Sequence, residues 1–207
     1  MARKKRKILR KILILLISIF ALIYLFGPMI AERSANRVTQ PRGQLVDART
    51  AELHQKLWIA DLHGDVLLWD RNILERHNYG HIDIPRLIDG NVALQAFTVV
   101  SKVPFGMNFQ SNPTDAKDMI TVLMAAQGRP METWFSLRDR ALHMAGELDR
   151  FAQASEGRFR VIRSKNDLQN YINDRESNAK ITAGFLGAEG MQVLEGKLSN
   201  LQVLYDA

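Results

Sequence analysis

The 207-residue sequence contains no cysteine, and this absence limits the chemistry open to it. Without cysteine there can be no disulfide framework and no zinc site built from thiolates. A metal ion would have to be held by histidine, aspartate or glutamate, and the chain has only five histidines. No Gly-x-Gly-x-x-Gly turn follows a predicted strand. The sequence therefore offers no support for a dinucleotide-binding fold.

The excess of positive charge is confined to the N-terminus. The formal net charge is +6, from 28 basic and 22 acidic residues, and seven of the basic residues lie within residues 1–11. Without those seven, 21 basic residues face 22 acidic residues. A nucleic-acid-binding domain would be expected to carry a basic surface of its own. Nucleic acid is therefore not an expected partner, and residues 1–11 are interpreted as a cytoplasmic basic segment.

Residues 12–31 form a run of twenty residues without charge, rich in isoleucine, leucine and phenylalanine. As a helix this run is long enough to cross the hydrocarbon core of a bilayer. The basic flank predicts a cytoplasmic N-terminus, with the rest of the chain outside the cytoplasm. A cleaved signal peptide is the alternative. A retained anchor is favoured because the candidate cleavage sites lack a small residue at position −3: Met29 and Arg33 stand there instead.

Residues 32–49 are polar and predict a linker, and residues 50–207 predict a single α/β domain. Apolar, β-branched segments alternate with helical patterns, which is typical of βαβ units and a parallel sheet. An open doubly wound sheet and a barrel both fit this alternation. The strands are predicted at 57–62, 92–100, 159–162 and 181–188, and the main helices at 83–89, 132–154 and 166–175.

Two positions at predicted strand ends carry potential metal ligands. His63 and Asp65 follow the first strand and, as residues i and i+2, point the same way if the chain stays extended. Imidazole and carboxylate are both zinc ligands, although a His-x-Asp triplet alone more often belongs to a solvated loop. Glu189 ends the strand at 181–188, and taken alone it would be interpreted as a glutamate that begins a helix. His81 and Asp83 repeat the triplet, but they are interpreted as a structural histidine and a helix cap.

Three segments together resemble the membrane dipeptidase family, the renal-dipeptidase-like zinc peptidases of family M19. The similarity covers roughly residues 58–205, which corresponds to the N-terminal half of such an enzyme. The order and spacing of the segments are more specific than any one of them. They are Asp61-Leu62-His63-Gly64-Asp65, then Asp83-Ile84-Pro85-Arg86-Leu87 with Gly90 and Gln95-Ala96-Phe97, and Gly187-Ala188-Glu189-Gly190.

The resemblance implies a fold, a cofactor and a reaction. The fold would be part of a (β/α)8 TIM barrel of the metal-dependent hydrolase type, preceded by one transmembrane helix. His63 and Asp65 would hold one Zn²⁺, and Glu189 would bridge it to a second. The binuclear centre would activate a hydroxide that hydrolyses the peptide bond of a dipeptide. With a bacterial-type topology, the anchor would lie in the cell inner membrane and the barrel domain would be periplasmic or extracellular.

The resemblance also implies what the chain lacks, because the remaining metal ligands of the family come later in its sequence. Residues 50–207 are therefore expected to be a truncated, inactive N-terminal fragment of the dipeptidase barrel. The alternative is a non-catalytic, membrane-tethered interaction domain derived from such a barrel. The expected partners are a dipeptide and the membrane, the latter through the N-terminal helix, and the prediction also admits a homodimer.

Overall fold

The computed structural model describes residues 2–38, 46–113 and 115–207. Its first element, helix α1, runs without interruption from Ala2 to Ala35 and contains Pro28. Within α1, the segment Lys5–Ala35 contains an 18-residue stretch with a mean hydropathy of 2.6, and the segment is long and apolar enough to cross a membrane. The segment predicted at 32–49 is partly helical, because α1 continues to Ala35 and α2 covers Ala48–Lys56. Residues 39–45 of that predicted linker lie outside the described residues.

The centre of the domain is a sheet of four parallel strands. The strands are β1 (Ile59–Asp61), β2 (Val92–Val100), β3 (Phe159–Val161) and β4 (Thr182–Glu189). The sequence predicted all four, and β2 has the same limits as predicted. Strand β4 pairs with β2 over seven residues, from Leu94 opposite Ala183 to Val100 opposite Glu189. The carboxyl ends of β2 and β4 therefore lie at the same edge of the sheet.

The strand order departs from that of a barrel in which each strand lies beside the one before it. The observed order is β1-β2-β4-β3, so β4 occupies the place beside β2 that β3 would take. Strand β3 pairs through only three residues, Phe159 to Val161, whereas β4 offers β2 a much longer partner. The described residues thus form an open parallel sheet, and the partial TIM barrel predicted above is not seen as a barrel.

Helices pack against the sheet, and short polar side chains cap the start of several of them. After α2, the helices are α3 (Ile84–Asp89), α4 (Met119–Ala126), α5 (Glu132–Phe135), α6 (Leu137–Ala154), α7 (Lys165–Ser177) and α8 (Ser199–Asp206). The single helix predicted at 132–154 is divided into α5 and α6. The division falls at Ser136, which has an extended backbone and accepts a hydrogen bond from the Asp139 N–H as the N-cap of α6.

The apolar core has a large part and a small part. The large part packs α6 and α3 against the sheet, with the rings of Phe97 and Phe159 in edge contact at 5.4 Å. The small part is formed by Tyr171, Ile181 and Ala183, where α7 packs beside the start of β4. Both parts hold β4 in place, and β4 carries Glu189 at its end.

Removal of the Tyr171 hydroxyl should have a modest, measurable effect on stability. The ring is buried, its hydroxyl donates to the Ala93 carbonyl, and burial raises the pKa of the phenol. We expect Tyr171→Phe to lower the free energy of unfolding by about 1 kcal/mol, the net value of one buried hydrogen bond. Urea unfolding followed by circular dichroism would measure this. Tyr205→Phe, at an exposed tyrosine, is the control and should leave the midpoint unchanged.

Candidate metal centre

Three potential ligands converge at the carboxyl edge of the sheet. His63 Nε2 lies 3.3 Å from Asp65 Oδ2 and 3.8 Å from Glu189 Oε2. One ligand atom from each residue lies within 4.8 Å of the others, and no other such group of His, Asp and Glu occurs in residues 2–38, 46–113 and 115–207. The side chains are 58%, 38% and 53% exposed, respectively. An ion and its water ligands could therefore enter from solvent.

The loop that presents His63 and Asp65 is held tightly against β2. The Asp61 carboxylate accepts the His63 N–H at 3.1 Å, so the chain turns directly after β1. The Gly64 carbonyl accepts the Thr98 N–H at 3.0 Å. A Cβ on Gly64 would lie 2.5 Å from Ile82 Cδ1 and 2.8 Å from Gln95 Nε2. Glycine between the two ligands therefore lets this loop approach β2 without displacing the ends of the Ile82 and Gln95 side chains.

Two hydroxyls position the carboxylate-bearing residues, and the sequence interpretation missed both. The Thr98 hydroxyl donates to Asp65 Oδ1, while the other oxygen, Oδ2, faces His63. The Ser101 hydroxyl donates to the backbone carbonyl of Glu189 at 2.7 Å and so ties the end of β4 to the segment after β2. The signal available in the sequence was a pair of hydroxyl residues at the end of a mostly apolar strand and just after it.

Loss of the Thr98 hydroxyl should weaken metal binding without removing a ligand. We expect Thr98→Val to reduce zinc affinity about 10- to 100-fold, the usual effect of losing a group that orients a ligand. Thr98→Ser keeps the hydroxyl and should retain most of the affinity. Competition titration against a chelating zinc indicator would measure both. Equal affinity for Thr98→Val and the parent chain would show that Thr98 does not position Asp65.

In the second His-x-Asp triplet, Asp83 is a helix cap, as interpreted from the sequence, while the structural role assigned to His81 stays a prediction. Asp83 is fully buried and caps α3, accepting the Arg86 backbone N–H at 2.9 Å and Arg86 Nε at 2.7 Å. His81 is exposed and joins no group of three ligands among the described residues.

His143, on α6, lies 3.0 Å from Arg129 Nη1, and burial lowers the pKa of its imidazole. The Arg129 guanidinium, so close to the imidazole, also disfavours the protonated form of His143.

The composition of the site fits zinc. One imidazole and two carboxylates are ligands that zinc accepts, and three protein ligands leave a coordination position open for water or substrate. A carboxylate can also present its two oxygens to two different ions. The arrangement could hold one divalent ion through His63 and Asp65 and share Glu189 with a second.

Comparison with known proteins gives similarity at the level of the fold. No family model matches the chain, and no curated protein sequence matches it. One similar solved structure is a dipeptidase described as a metallopeptidase of family M19, with 22% identity, a TM-score of 0.49, and coverage of 72% of this chain and 40% of that one. Another is a metallopeptidase from Rhodobacter sphaeroides bound to a phosphinate mimic of L-Ala-D-Ala, with 21% identity, a TM-score of 0.47, and coverage of 72% and 43%.

The chain therefore spans less than half the length of these two metallopeptidases. M19, the family named for the first of these structures, is also the family that the sequence motifs resemble. At this level of identity the similarity concerns the fold, an α/β domain with a parallel sheet.

Proposed function

We propose that this chain supplies the metal-binding part of a membrane-anchored, zinc-dependent dipeptidase. The observation that supports this most directly is the convergence of His63, Asp65 and Glu189 at one edge of the sheet. The three residues come from two strands that are far apart in the sequence and are not direct neighbours in the sheet. The sequence motifs that contain the three residues resemble one family. This resemblance is a separate line of support, because it rests on the order and spacing of motifs in the sequence and not on the distances between side chains.

In the proposed site each residue has a distinct task. His63 and Asp65 would hold one zinc ion, and Glu189 would be shared between that ion and a second. Thr98 keeps the Asp65 carboxylate turned toward His63, and Ser101 holds the backbone of Glu189. When bound, zinc supplies a Lewis acid for the peptide carbonyl and a water that ionises near neutral pH.

Zinc binding by the full chain in a mild detergent tests the proposal. After removal of metal with a chelator, a zinc titration should show binding that His63→Ala weakens about 100-fold or more, since loss of a ligand should exceed loss of a positioning group. His54→Ala makes the same chemical change on α2, remote from the site, and should bind zinc like the parent chain. Equal zinc affinity in the His63→Ala and His54→Ala variants would show that the site is assigned wrongly.

A second measurement tests the dipeptidase part of the proposal. A phosphinate mimic of a dipeptide carries oxygens that can bind a metal ion at the place of the scissile carbonyl. We expect the zinc-loaded chain to retain such a mimic in equilibrium dialysis, and the metal-free chain and His63→Ala to release it. Zinc binding without any zinc-dependent retention of the mimic would favour a metal-binding domain that does not recognise dipeptides.

The proposed location is the cell inner membrane, with the N-terminus in the cytoplasm and the domain outside it. The basic segment before the apolar helix supports this orientation. Protease added outside spheroplasts should digest the domain after Ala35 and leave a membrane-bound N-terminal fragment. Protection of the domain in intact spheroplasts, with digestion after lysis, would reverse the proposed orientation.

A further inference from the structure

The end of α1 is bound to the domain by buried polar contacts. Glu32 and Arg71 form an ion pair at 3.3 Å, and both side chains are buried. The Asn36 carbonyl accepts the Gly80 N–H at 2.8 Å, and the Arg33 guanidinium lies over the Tyr79 ring at 5.1 Å. These contacts fix the direction in which the apolar helix leaves the domain.

The helix meets the domain at the edge that carries the candidate metal centre. Asn36, just after α1, lines a cavity of about 110 Å³ together with Asp65, Trp69 and Arg71. Asp65 follows the carboxyl end of β1 and belongs to the His63, Asp65 and Glu189 group. The anchor helix and the candidate site are therefore neighbours, and the opposite edge of the sheet faces away from both.

Part of the domain lies beside the last two turns of the uncharged run. Tyr24, Leu25, Pro28 and Met29 share a cavity of about 320 Å³ with the segment Ala126–Gly128 at the end of α4. At 1.5 Å per residue, Tyr24 lies about 10 Å along the helix from Ala31, where the uncharged run ends. Each polar region of a bilayer is only about 5–8 Å thick. If α1 spans the bilayer, the end of α4 lies at least as deep as the lipid head groups, because it packs beside Tyr24.

The loop that leads into α4 is unusually apolar for an exposed segment. Phe105 and Met107 are 66% and 62% exposed, and Phe109 is fully exposed. No charged residue lies between positions 102 and 115. The base of the loop is closed by hydrogen bonds of 2.8 Å from Phe105 N–H to the Lys117 carbonyl and from Met119 N–H to the Val103 carbonyl. The loop thus presents three large apolar side chains from a base that is closed by backbone hydrogen bonds. It leads into α4, and the other end of α4 lies beside α1.

We propose that the loop 104–113 inserts into the surface of the lipid bilayer beside α1, so that the metal centre opens at the membrane surface. The inference rests on the proposed anchoring of α1 in a membrane. Burial of aromatic and methionine side chains at the acyl boundary would remove their apolar surface from water. The absence of charge in the loop also avoids the cost of bringing an ion to this depth. A second copy of the chain could cover the same side chains, and the experiment separates the two outcomes.

The experiment measures the depth of single tryptophan substitutions in the full chain, reconstituted in vesicles of phosphatidylcholine and phosphatidylglycerol. Phe109→Trp reports on the loop, and Phe20→Trp reports on the apolar helix. Leu53→Trp is the control, because Leu53 is exposed on α2. Asn91, just before β2, donates to the His54 carbonyl at 2.8 Å, which places α2 at the other edge of the sheet. The length of β2 separates the two edges by about 27 Å.

The added fluorescence of each variant is compared with that of the parent chain, which has three tryptophans of its own. We expect a spin label near the lipid head group to quench the added Phe109→Trp signal about twofold, in keeping with insertion of about 5–10 Å. A label deep in the acyl chain should quench Phe20→Trp most strongly, and neither label should quench Leu53→Trp. Retention of zinc binding by Phe109→Trp would show that the variant is folded.

Two results would overturn the proposal in different ways. Quenching of Phe20→Trp but not of Phe109→Trp would reject insertion of the loop and leave the anchor intact. No quenching of either would reject the anchor and the loop together, while zinc titration of the same samples tests the metal site separately. A Phe109→Trp signal that shifts to the blue with rising protein-to-lipid ratio, but escapes lipid quenching, would assign the loop to contact between two copies.

Discussion

Replacement of Arg140 by methionine should lower the free energy of unfolding by about 3–5 kcal/mol, the range for breaking a buried ion pair by removing one partner. The Arg140 side chain is fully buried. Its Nη1 donates to the Ser101 carbonyl at 2.6 Å and to Asp118 Oδ2 at 2.8 Å, and its Nε donates to the Thr133 carbonyl at 3.0 Å. One guanidinium therefore joins the segment after β2, the N-cap of α4 and the short helix α5. Methionine would fill much of the volume but leave these acceptors without a donor.

The measurement is the free energy of unfolding from urea titration in a mild detergent, followed by circular dichroism. Arg138→Met is a matched control, since Arg138 is partly exposed and pairs with its neighbour Asp139. This control should change stability by about 0–1 kcal/mol, as is usual for a surface ion pair. The double variant Asp118→Asn with Arg140→Met should recover part of the loss, because it removes the unpaired carboxylate. A loss for Arg140→Met no larger than that for Arg138→Met would contradict the role assigned to Arg140.

Loss of Arg140 should also lower the zinc affinity of the candidate metal centre. Ser101 accepts from Arg140 through its carbonyl and donates to the Glu189 carbonyl through its hydroxyl. The two hydrogen bonds use different groups of the same residue, so a shift of Ser101 is transmitted to the end of β4. Zinc affinity of Arg140→Met, measured below its unfolding transition, should therefore fall, whereas Arg138→Met should bind zinc like the parent chain.

The elements that sequence reasoning predicted best are those with local signals. The limits of β2 follow from a run of apolar and β-branched residues, interrupted by Gln95, that is buried along most of its length. The start of α3 follows from Asp83 before Pro85, and the start of α7 from Ser164, whose hydroxyl caps the Asp167 N–H. Each of these signals acts within a few residues, so no knowledge of tertiary contacts is needed.

The proximity of the site residues could be predicted because strand ends of a parallel sheet meet at one edge. His63 and Asp65 were singled out by their place after an apolar strand, and Glu189 by the resemblance of its segment to the dipeptidase family. The structure brings the three residues together. Their role as ligands stays a prediction that the zinc titration tests. Thr98 and Ser101 escaped notice because a hydroxyl becomes significant only through the partner that it meets across the sheet.

Other features depend on contacts between distant segments and could not be predicted. The order of the strands is decided by which pairing buries more of β4, and the alternation of strands and helices does not reveal this. The contact of α1 with the domain depends on Glu32, in the segment interpreted as a linker, meeting Arg71, which is distant in the sequence. The polarity of residues 32–38 suggested a solvated linker, although part of that polarity is buried in the structure.

Gly184→Ala is expected to lower the free energy of unfolding by about 3 kcal/mol, at the upper end of the usual cost of overpacking. A Cβ at Gly184 would lie 2.4 Å from Phe97 Cε2 and 3.0 Å from the Gln95 carbonyl oxygen. The Phe97 ring is fully buried in edge contact with Phe159, and the carbonyl belongs to the paired strand β2. Neither neighbour can withdraw without moving the sheet. Urea unfolding of the two proteins would measure the difference.

Gly187→Ala is the matched control, because it adds the same methyl group to the same strand. A Cβ there would meet only Thr98 Cγ2, at 3.9 Å, which is ordinary contact. Phe97→Leu in combination with Gly184→Ala should recover part of the lost stability, since the smaller side chain makes room for the added carbon. Equal free energies of unfolding for Gly184→Ala and Gly187→Ala would show that β4 does not pack closely on Phe97 at position 184. Because β4 ends at Glu189, the clash should also reduce zinc affinity, and the combination with Phe97→Leu should restore both properties together.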